Sequence, residues 1–250
     1  MDSHAARKIV SPLRHTILHP QWLLLRHERR LDKFYKPNLH GIVLDIGCAG
    51  KIARQSVIAL GATYVGLDYP RTAVAMYGTR PDIFGDAHNL PVRSESADTV
   101  LILNVLEHLL EPDKALGEVA RALKPGGKCL LEVPFLYPLH DQPFDYQRWT
   151  RHGLKTSAAR AGLQVTSLVP IGKAPETIGL LCNLMLSRAI LRLLANRNPL
   201  VILAVPLPVI IAGINIFARL LALVAKDDSM PIVYRAVLTK PGQAGTHGHE

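Results

Sequence analysis

Hydrophobic and polar positions follow two rhythms through the middle of this chain. Short apolar runs, each closed by glycine or a polar residue, are separated by stretches with helical spacing. Gly41 to Gly47 (GIVLDIG) reads as a buried strand, and Thr63 to Tyr69 as a second. Asp82 to Ala87 is a short third, Thr99 to Asn104 a fourth and Lys128 to Phe135 a fifth; Leu163 to Val169 and Ile232 to Thr239 complete the set. Lys51 to Leu60 has helical composition and ends at Gly61. Ala115, Leu116, Val119, Ala120 and Leu123 fall on one face of a further helix that Gly126–Gly127 terminates. Thr150 is placed to cap a helix running to about Ala161. Strands this apolar are covered on both faces, which predicts an α/β three-layer sandwich around a seven-stranded, mostly parallel sheet.

The rhythm breaks between the sixth and seventh strands. Pro199 to Ala218 is twenty residues without a charge, and as a helix it would be about 30 Å long, near the thickness of a hydrocarbon core. Pro206 and Pro208 would kink it. Ile178 to Ala195 is also apolar, with Arg188 and Arg192 on one face, the pattern of an interfacial helix whose arginines reach the headgroups. The flanking strands belong to one sheet, so a single membrane crossing is excluded. A hairpin, a re-entrant segment or a pair of helices lying in the interface is allowed, and a hydrophobic homodimer interface or a cover over an apolar acceptor is the competing use. The expected organisation is a basic helical N-terminal arm (1–40), an α/β sheet domain (41–171 and 231–240), a hydrophobic helical insertion (172–230) with membrane contact through 175–225, and a disordered tail (241–250).

Charge sharpens this division. The formal net charge is +9, yet residues 41–170 carry 13 basic and 13 acidic side chains. The arm holds 8 basic and 3 acidic residues, and 171–229 holds 6 and 3. A nucleic-acid enzyme would concentrate basic charge around its active centre, so nucleic acid is not the expected partner. Arg26, Arg29, Arg30, Lys33 and Lys36 stand next to Trp22 and Leu23–Leu25, which suits the boundary of an anionic leaflet. The longest apolar run of the arm, Trp22 to Leu25, is too short for a signal peptide. Cys48, Cys129 and Cys182 are odd in number and show no CxxC spacing, so neither a disulfide framework nor a metal site is expected, and the compartment is read as cytoplasmic.

In open α/β sheets ligands sit outside the carboxyl ends of the strands. The first strand ends Asp45-Ile46-Gly47-Cys48-Ala49-Gly50, where glycine lets the backbone approach a ligand. The second ends in Asp68, 23 residues on, the spacing at which a carboxylate holds a ribose diol. There is no GxGxxG for a pyrophosphate.

The runs VLDIGCAG, YVGLDY, GDAHNLP, SADTVLILNVLEHL and ALKPGG, in that order, closely resemble the motifs of class I S-adenosylmethionine-dependent methyltransferases over roughly residues 41–171. That resemblance implies S-adenosyl-L-methionine as cofactor. It implies that Asp45 and Gly47 line its methionine end, that Asp68 holds the ribose hydroxyls, and that Cys48, Gly50 and Tyr69 belong to the same cofactor site. Asp86 and Ala87 would meet the adenine, and Asn104 would stand near the sulfonium and amino group. The family's glycine run is usually Gly-x-Gly-x-Gly; here Ala49 and Lys51 occupy the second and third positions. In VLEHL, the resemblance places Glu107 and His108 in the helix that follows the fourth strand and usually helps shape the site, with His108 a general base or a packed or capping residue.

After the fifth strand, His140 to Thr150 (HDQPFDYQRWT) resembles a subset of the family with the pattern H-x-x-P-x-D-x-x-R-x-T. His140, with an ordinary pKa of about 6.5, can take a proton from an acceptor hydroxyl, with Asp145 orienting it and Arg148 binding an anion. In the bland alternative, Asp145 pairs with Arg148 and the loop is purely structural. No Asn-Pro-Pro-Tyr or Pro-Cys sequence of the nucleic-acid methylating enzymes is present. The expected activity is methyl transfer to a small-molecule acceptor, apolar, isoprenoid or lipid-linked, on the cytoplasmic face of a membrane. A soluble metabolite as acceptor and a non-catalytic scaffold are the alternatives.

Overall fold

The structure is a computed structural model and describes residues 11–27 and 34–242. Arg29, Arg30, Lys33 and nearly all of the tail lie outside the described residues. In chain order the main elements are α1 (Trp22–Leu25), β1 (Ile42–Ile46), α2 (Arg54–Ala59), β2 (Thr63–Asp68), β3 (Ile83–Phe84), β4 (Ala97–Leu103), α3 (Pro112–Ala122), β5 (Leu123–Pro134), α4 (Arg151–Arg160), β6 (Gln164–Ile171), α5 (Ala174–Ala195), α6 (Leu207–Val224) and β7 (Val233–Thr239). The strands form one seven-stranded sheet in the order β3-β2-β1-β4-β5-β7-β6. The ladders joining β1 to β2, β1 to β4, β2 to β3 and β4 to β5 are parallel. Lys240, just past β7, exchanges backbone hydrogen bonds with Gly126 and Gly127 near the start of β5, so β7 runs against its neighbour. The expected sandwich with its apolar helical insertion between the sixth and seventh strands is found.

The chain divides into two compact units. One comprises Asp32–Phe135, Leu139–Val169 and Tyr234–Glu250; the other comprises Met1–Leu31, Leu136–Pro138 and Pro170–Val233. In the first, Leu44, Ile46, Val100, Ile102 and Leu131 are buried with the stripe Ala115, Leu116, Val119 and Ala122 of α3. Burying a leucine such as Leu116 contributes about 2 kcal/mol. Leu123 was expected on that stripe, but it begins β5, opposite Ala97. The helix ends at Ala122 and the chain is extended at Leu123, and Pro125 disfavours a return to helical backbone at Lys124. The third strand shrinks to two residues, since Asp86 leaves the ladder to bridge Asn89. At the head of α4, Thr150 Oγ1 accepts from the Gly153 N–H at 3.0 Å, the expected cap.

In the second unit, the twenty charge-free residues do not form one kinked helix. Pro199–Ala204 is a 3-10 turn, Pro206 is the N-cap of α6, and Pro208 lies in its first turn. A proline lacks the N–H that a first turn leaves unused, so these prolines start the helix. α5 and α6 approach closely at Gly179, where a Cβ would come within 2.7 Å of that of Ala218. Leu23, Leu180, Ala218 and Ile232 pack together around this point. Beside it, buried Asn183 donates to Asn215 at 2.8 Å, and Asn215 donates to the carbonyls of Ile17 and His19. Buried Glu176 accepts from Arg26 at 2.5 Å, with Arg219 at 3.7 Å.

Candidate functional site

β1 and β2 are parallel neighbours with Asp45 opposite Gly66, so the turn after β1 stands beside the end of β2. Gly47 adopts φ +70°, and a Cβ there would meet Val105 Cγ2 at 2.4 Å; glycine is required twice over. The Gly47 and Cys48 N–H groups both donate to the Leu67 carbonyl. Asp68 fastens the turn: one carboxylate oxygen accepts from the Ala49 N–H at 2.8 Å, the other from the Tyr69 N–H at 2.7 Å and the Thr72 hydroxyl at 2.9 Å. Ala49 and Lys51 are both left-handed, with φ 42° and 55°, at the positions where the family usually has glycine. Lys51 is accommodated because its ammonium turns to Asp82, 2.6 Å away.

Asp45 is buried and accepts from the Tyr64 hydroxyl at 2.7 Å. Burial pushes its carboxyl up to about 6, against the Tyr64 hydrogen bond and with a further push from the Asp68 charge. Burial, then the charges of Asp45 and Asp68, push the Cys48 thiol up to about 11, so it is neutral and no nucleophile. A Cβ on Gly50 would meet nothing within 4 Å, so space opens there. A buried carboxylate, a backbone turn and open space fit the ammonium and sulfonium of S-adenosylmethionine. Asp45, Gly47, Cys48, Gly50 and Asp68 are therefore brought together, and Tyr69, half exposed, adjoins them.

The other expected cofactor residues are differently engaged. Asp86 accepts from the His88 N–H at 2.8 Å and lies 2.7 Å from its ring Nδ1, while Ala87 is buried. Asn104 is left-handed at φ 56°, and its side-chain amide donates to Glu132 at 2.9 Å. Glu132 in turn pairs with Arg235, which is 2% exposed. This buried pair was not foreseen, although a glutamate in LLEVPF and an arginine in IVYRAVLT, both inside apolar strands, were its signal.

Beyond β4 and β5 a second group assembles. Asp145 is gripped by both guanidinium nitrogens of Arg148, at 2.5 and 2.7 Å, and accepts from the His140 N–H at 2.9 Å. Burial opposes its charge, but Arg148 and His140 hold the carboxyl down at about 2. Arg148 therefore serves the loop. Burial works against the charged form of His140, and Glu107 and Asp145 overcome it and raise its pKa. Glu107 and His108 lie in the 3-10 turn Leu106–His108 and face the same point as His140. Their convergence with a histidine 32 residues on was invisible in the sequence, since it depends on β4 and β5 being neighbours.

A family model described as a methyltransferase domain matches residues 44–131. A ubiquinone biosynthesis O-methyltransferase of Agrobacterium fabrum is 33% identical over 107 residues, 39% of this chain and 42% of that protein. The chain thus spans less than half the length of that curated relative. Among solved structures, a [4+2]-cyclase, SpnF, superposes with TM-score 0.59 at 18% identity, over 95% of this chain and 94% of that one. A putative methyltransferase from Bacillus halodurans superposes with TM-score 0.53 at 16% identity, over 85% of this chain and 99% of that one. Residues 44–131 thus carry a methyltransferase domain, and the sheet order and the glycine turn held by a carboxylate are those of a fold similar to class I S-adenosylmethionine-dependent methyltransferases.

Proposed function

We propose that the chain transfers the methyl group of S-adenosylmethionine to an apolar or lipid-linked acceptor at the cytoplasmic face of a membrane. The observation that carries the methyl-transfer reading is the Asp68-fastened glycine turn with Asp45 buried beneath it. Asp45, Gly47, Cys48 and Gly50 would hold the methionine end of the cofactor, Asp68 and Tyr69 the ribose, Asp86 and Ala87 the adenine, and Asn104 the side nearest the sulfur. The cofactor supplies an electrophilic methyl group; the protein's part is to hold the acceptor atom in line with it. His140, oriented by Asp145, is the side chain placed to manage the acceptor's proton. His140→Ala should lower turnover by about 100-fold or more and leave S-adenosylhomocysteine affinity unchanged.

The acceptor class is supported by the helical insertion. α5 and α6 are long and apolar enough to cross a bilayer, and less than a quarter of the most apolar 18-residue stretch of each is buried. Val209, Phe217, Leu220 and Val224 are exposed along α6, as are Ile202 and Val205 before it. Soluble proteins rarely leave an apolar patch of this extent in water. A shallow groove lined by Pro138, Leu181, Leu184, Met185, Arg188 and Arg192 combines an apolar floor with two guanidinium groups, which suits an anionic amphiphile. Labelled methyl transfer into membrane extracts, with lipid and aqueous fractions counted separately, tests the reading. Label in the aqueous fraction alone would assign a soluble metabolite. A chain that is monodisperse and dimeric without detergent would make the insertion a subunit interface instead. The cyclase among the structural neighbours motivates a second reading, in which the fold binds cofactor without methyl transfer; absence of S-adenosylhomocysteine formation with every fraction would favour it.

A further inference from the structure

Asn104 follows β4 directly, at the end of the sheet where β1 turns through Gly47. Ile102 is the register partner of Ile46, which brings Asn104, two residues on, level with that turn. Val105, next in the chain, fills the place that a Cβ on Gly47 would need, so the two loops lie against each other. Asn104 is left-handed at φ 56°, a conformation that asparagine adopts more readily than most residues. Glu132 holds it there twice: the Asn104 N–H donates to the Glu132 carbonyl at 2.9 Å, and Asn104 Nδ2 donates to Glu132 Oε1 at 2.9 Å. The other carboxylate oxygen, Oε2, accepts from Arg235 Nε. Both charges lie deep inside strands, Glu132 in β5 at 6% exposure and Arg235 in β7 at 2%, whereas Asn104 is exposed.

An arginine keeps its proton, and a carboxylate paired with it can only accept hydrogen bonds. Glu132 therefore takes the –NH₂ side of the Asn104 amide, and the carbonyl oxygen Oδ1 is turned away from it. A buried ion pair adds little net stability, because desolvating two charges offsets most of their attraction. What this pair does achieve is to fix which end of an exposed amide faces outward. We propose that Glu132 and Arg235 are positioning residues for cofactor binding, locking the Asn104 amide so that Oδ1 is presented to a cationic group of S-adenosylmethionine, a role that rests on the proposed placement of Asn104 on the side nearest the sulfur. An amide oxygen attracts an ammonium or sulfonium, whereas the –NH₂ end repels it. An asparagine that was not held would present either end and would lose its side-chain freedom when the cofactor bound; a held one has lost that freedom already.

The test measures S-adenosylmethionine affinity by calorimetric titration, and melting temperature alongside it, in the full chain, in Asn104→Ala, in Glu132→Met/Arg235→Met and in the combination of all three substitutions. Asn104→Ala should lower affinity about 10-fold, the contribution of one contact to a charged group. Removing both charges of the pair leaves neither buried alone, so Glu132→Met/Arg235→Met should keep or raise the wild-type melting temperature. Its affinity should nonetheless fall by a similar factor, because Asn104 is released, and the triple variant should bind no more weakly than Asn104→Ala. A pair that merely supports the fold would leave affinity at the wild-type value, and that result overturns the proposal. Losses that multiply in the triple variant overturn it too, since the pair would then act by a route other than Asn104. Wild-type affinity in Asn104→Ala would instead remove Asn104 from the cofactor site, a failure of the site assignment that is distinct from failure of the pair. If the apolar pair does not fold, Glu132→Gln supplies the second readout: Arg235 holds the glutamine oxygen, the glutamine –NH₂ faces Asn104, and the Asn104 amide is turned over. Affinity should then fall about 10-fold or more and return when Asn104→Asp is added, because an aspartate there accepts from that –NH₂ and still offers an oxygen outward. Absence of that rescue overturns the proposal.

Discussion

Asp45 makes a test in which binding and stability must move in opposite directions. Its carboxyl stands at about 6 in the folded chain, against an ordinary value of 3.8, because burial disfavours the charge. If the ionised form receives a cationic cofactor group, the binding-competent fraction falls from about nine-tenths at pH 7 to about one-tenth at pH 5. Affinity for S-adenosylmethionine should then fall about 10-fold over that range, equivalent to about 1.4 kcal/mol, with a proton released on binding below pH about 6. Without ligand, the sign reverses. The folded pKa is raised, so the unfolded chain loses this proton first as pH rises. Asp45 therefore costs stability progressively between pH about 4 and 6, by up to about 3 kcal/mol. Asp45→Asn should raise the melting temperature of the free protein at pH 7, weaken cofactor binding and flatten the pH dependence of both. Tyr64→Phe removes the hydroxyl that lowers the Asp45 pKa and should move the binding midpoint upward. Calorimetric titration from pH 5 to 8, in two buffers of different ionisation enthalpy, reads affinity and proton release together. Wild-type affinity that is level from pH 5 to 7 would refute the assignment of Asp45 as a cofactor carboxylate.

Asp68→Ala strands the Ala49 and Tyr69 N–H groups and the Thr72 hydroxyl, so S-adenosylhomocysteine affinity should drop about 10-fold or more by calorimetry; unchanged affinity would separate the turn from the cofactor. Arg235→Met leaves Glu132 charged and buried, with an expected loss of about 3–5 kcal/mol in denaturant unfolding that Glu132→Gln in the same chain partly restores; a loss within error would mean the pair is solvated. Asn215→Ala removes the donor to the Ile17 and His19 carbonyls and the acceptor for Asn183, and limited proteolysis should then cut residues 11–27 sooner than in the wild type.

Much of this protein was legible because period and punctuation are local. The alternation of apolar runs and helical stripes placed all seven strands, and Gly47, Asp45 and Asp68 marked the ends of β1 and β2 without any knowledge of their contacts. The Thr150 cap is equally local, since a hydroxyl finds an N–H three residues away. Boundaries were lost where one residue type serves two states: Leu123 satisfies a helix stripe and a strand equally, and Pro206 and Pro208 can kink a helix or begin one. The structure alone decided what depends on which strands are neighbours. It turned the Lys51 side chain to Asp82, Asn104 to Glu132 and Arg235, and Asp86 to His88, none of which follows from sequence spacing. It also collected Glu107, His108 and His140 around one point. These side chains meet because β4 and β5 lie side by side, and the burial of Glu107 arises only when the surrounding chain packs over it.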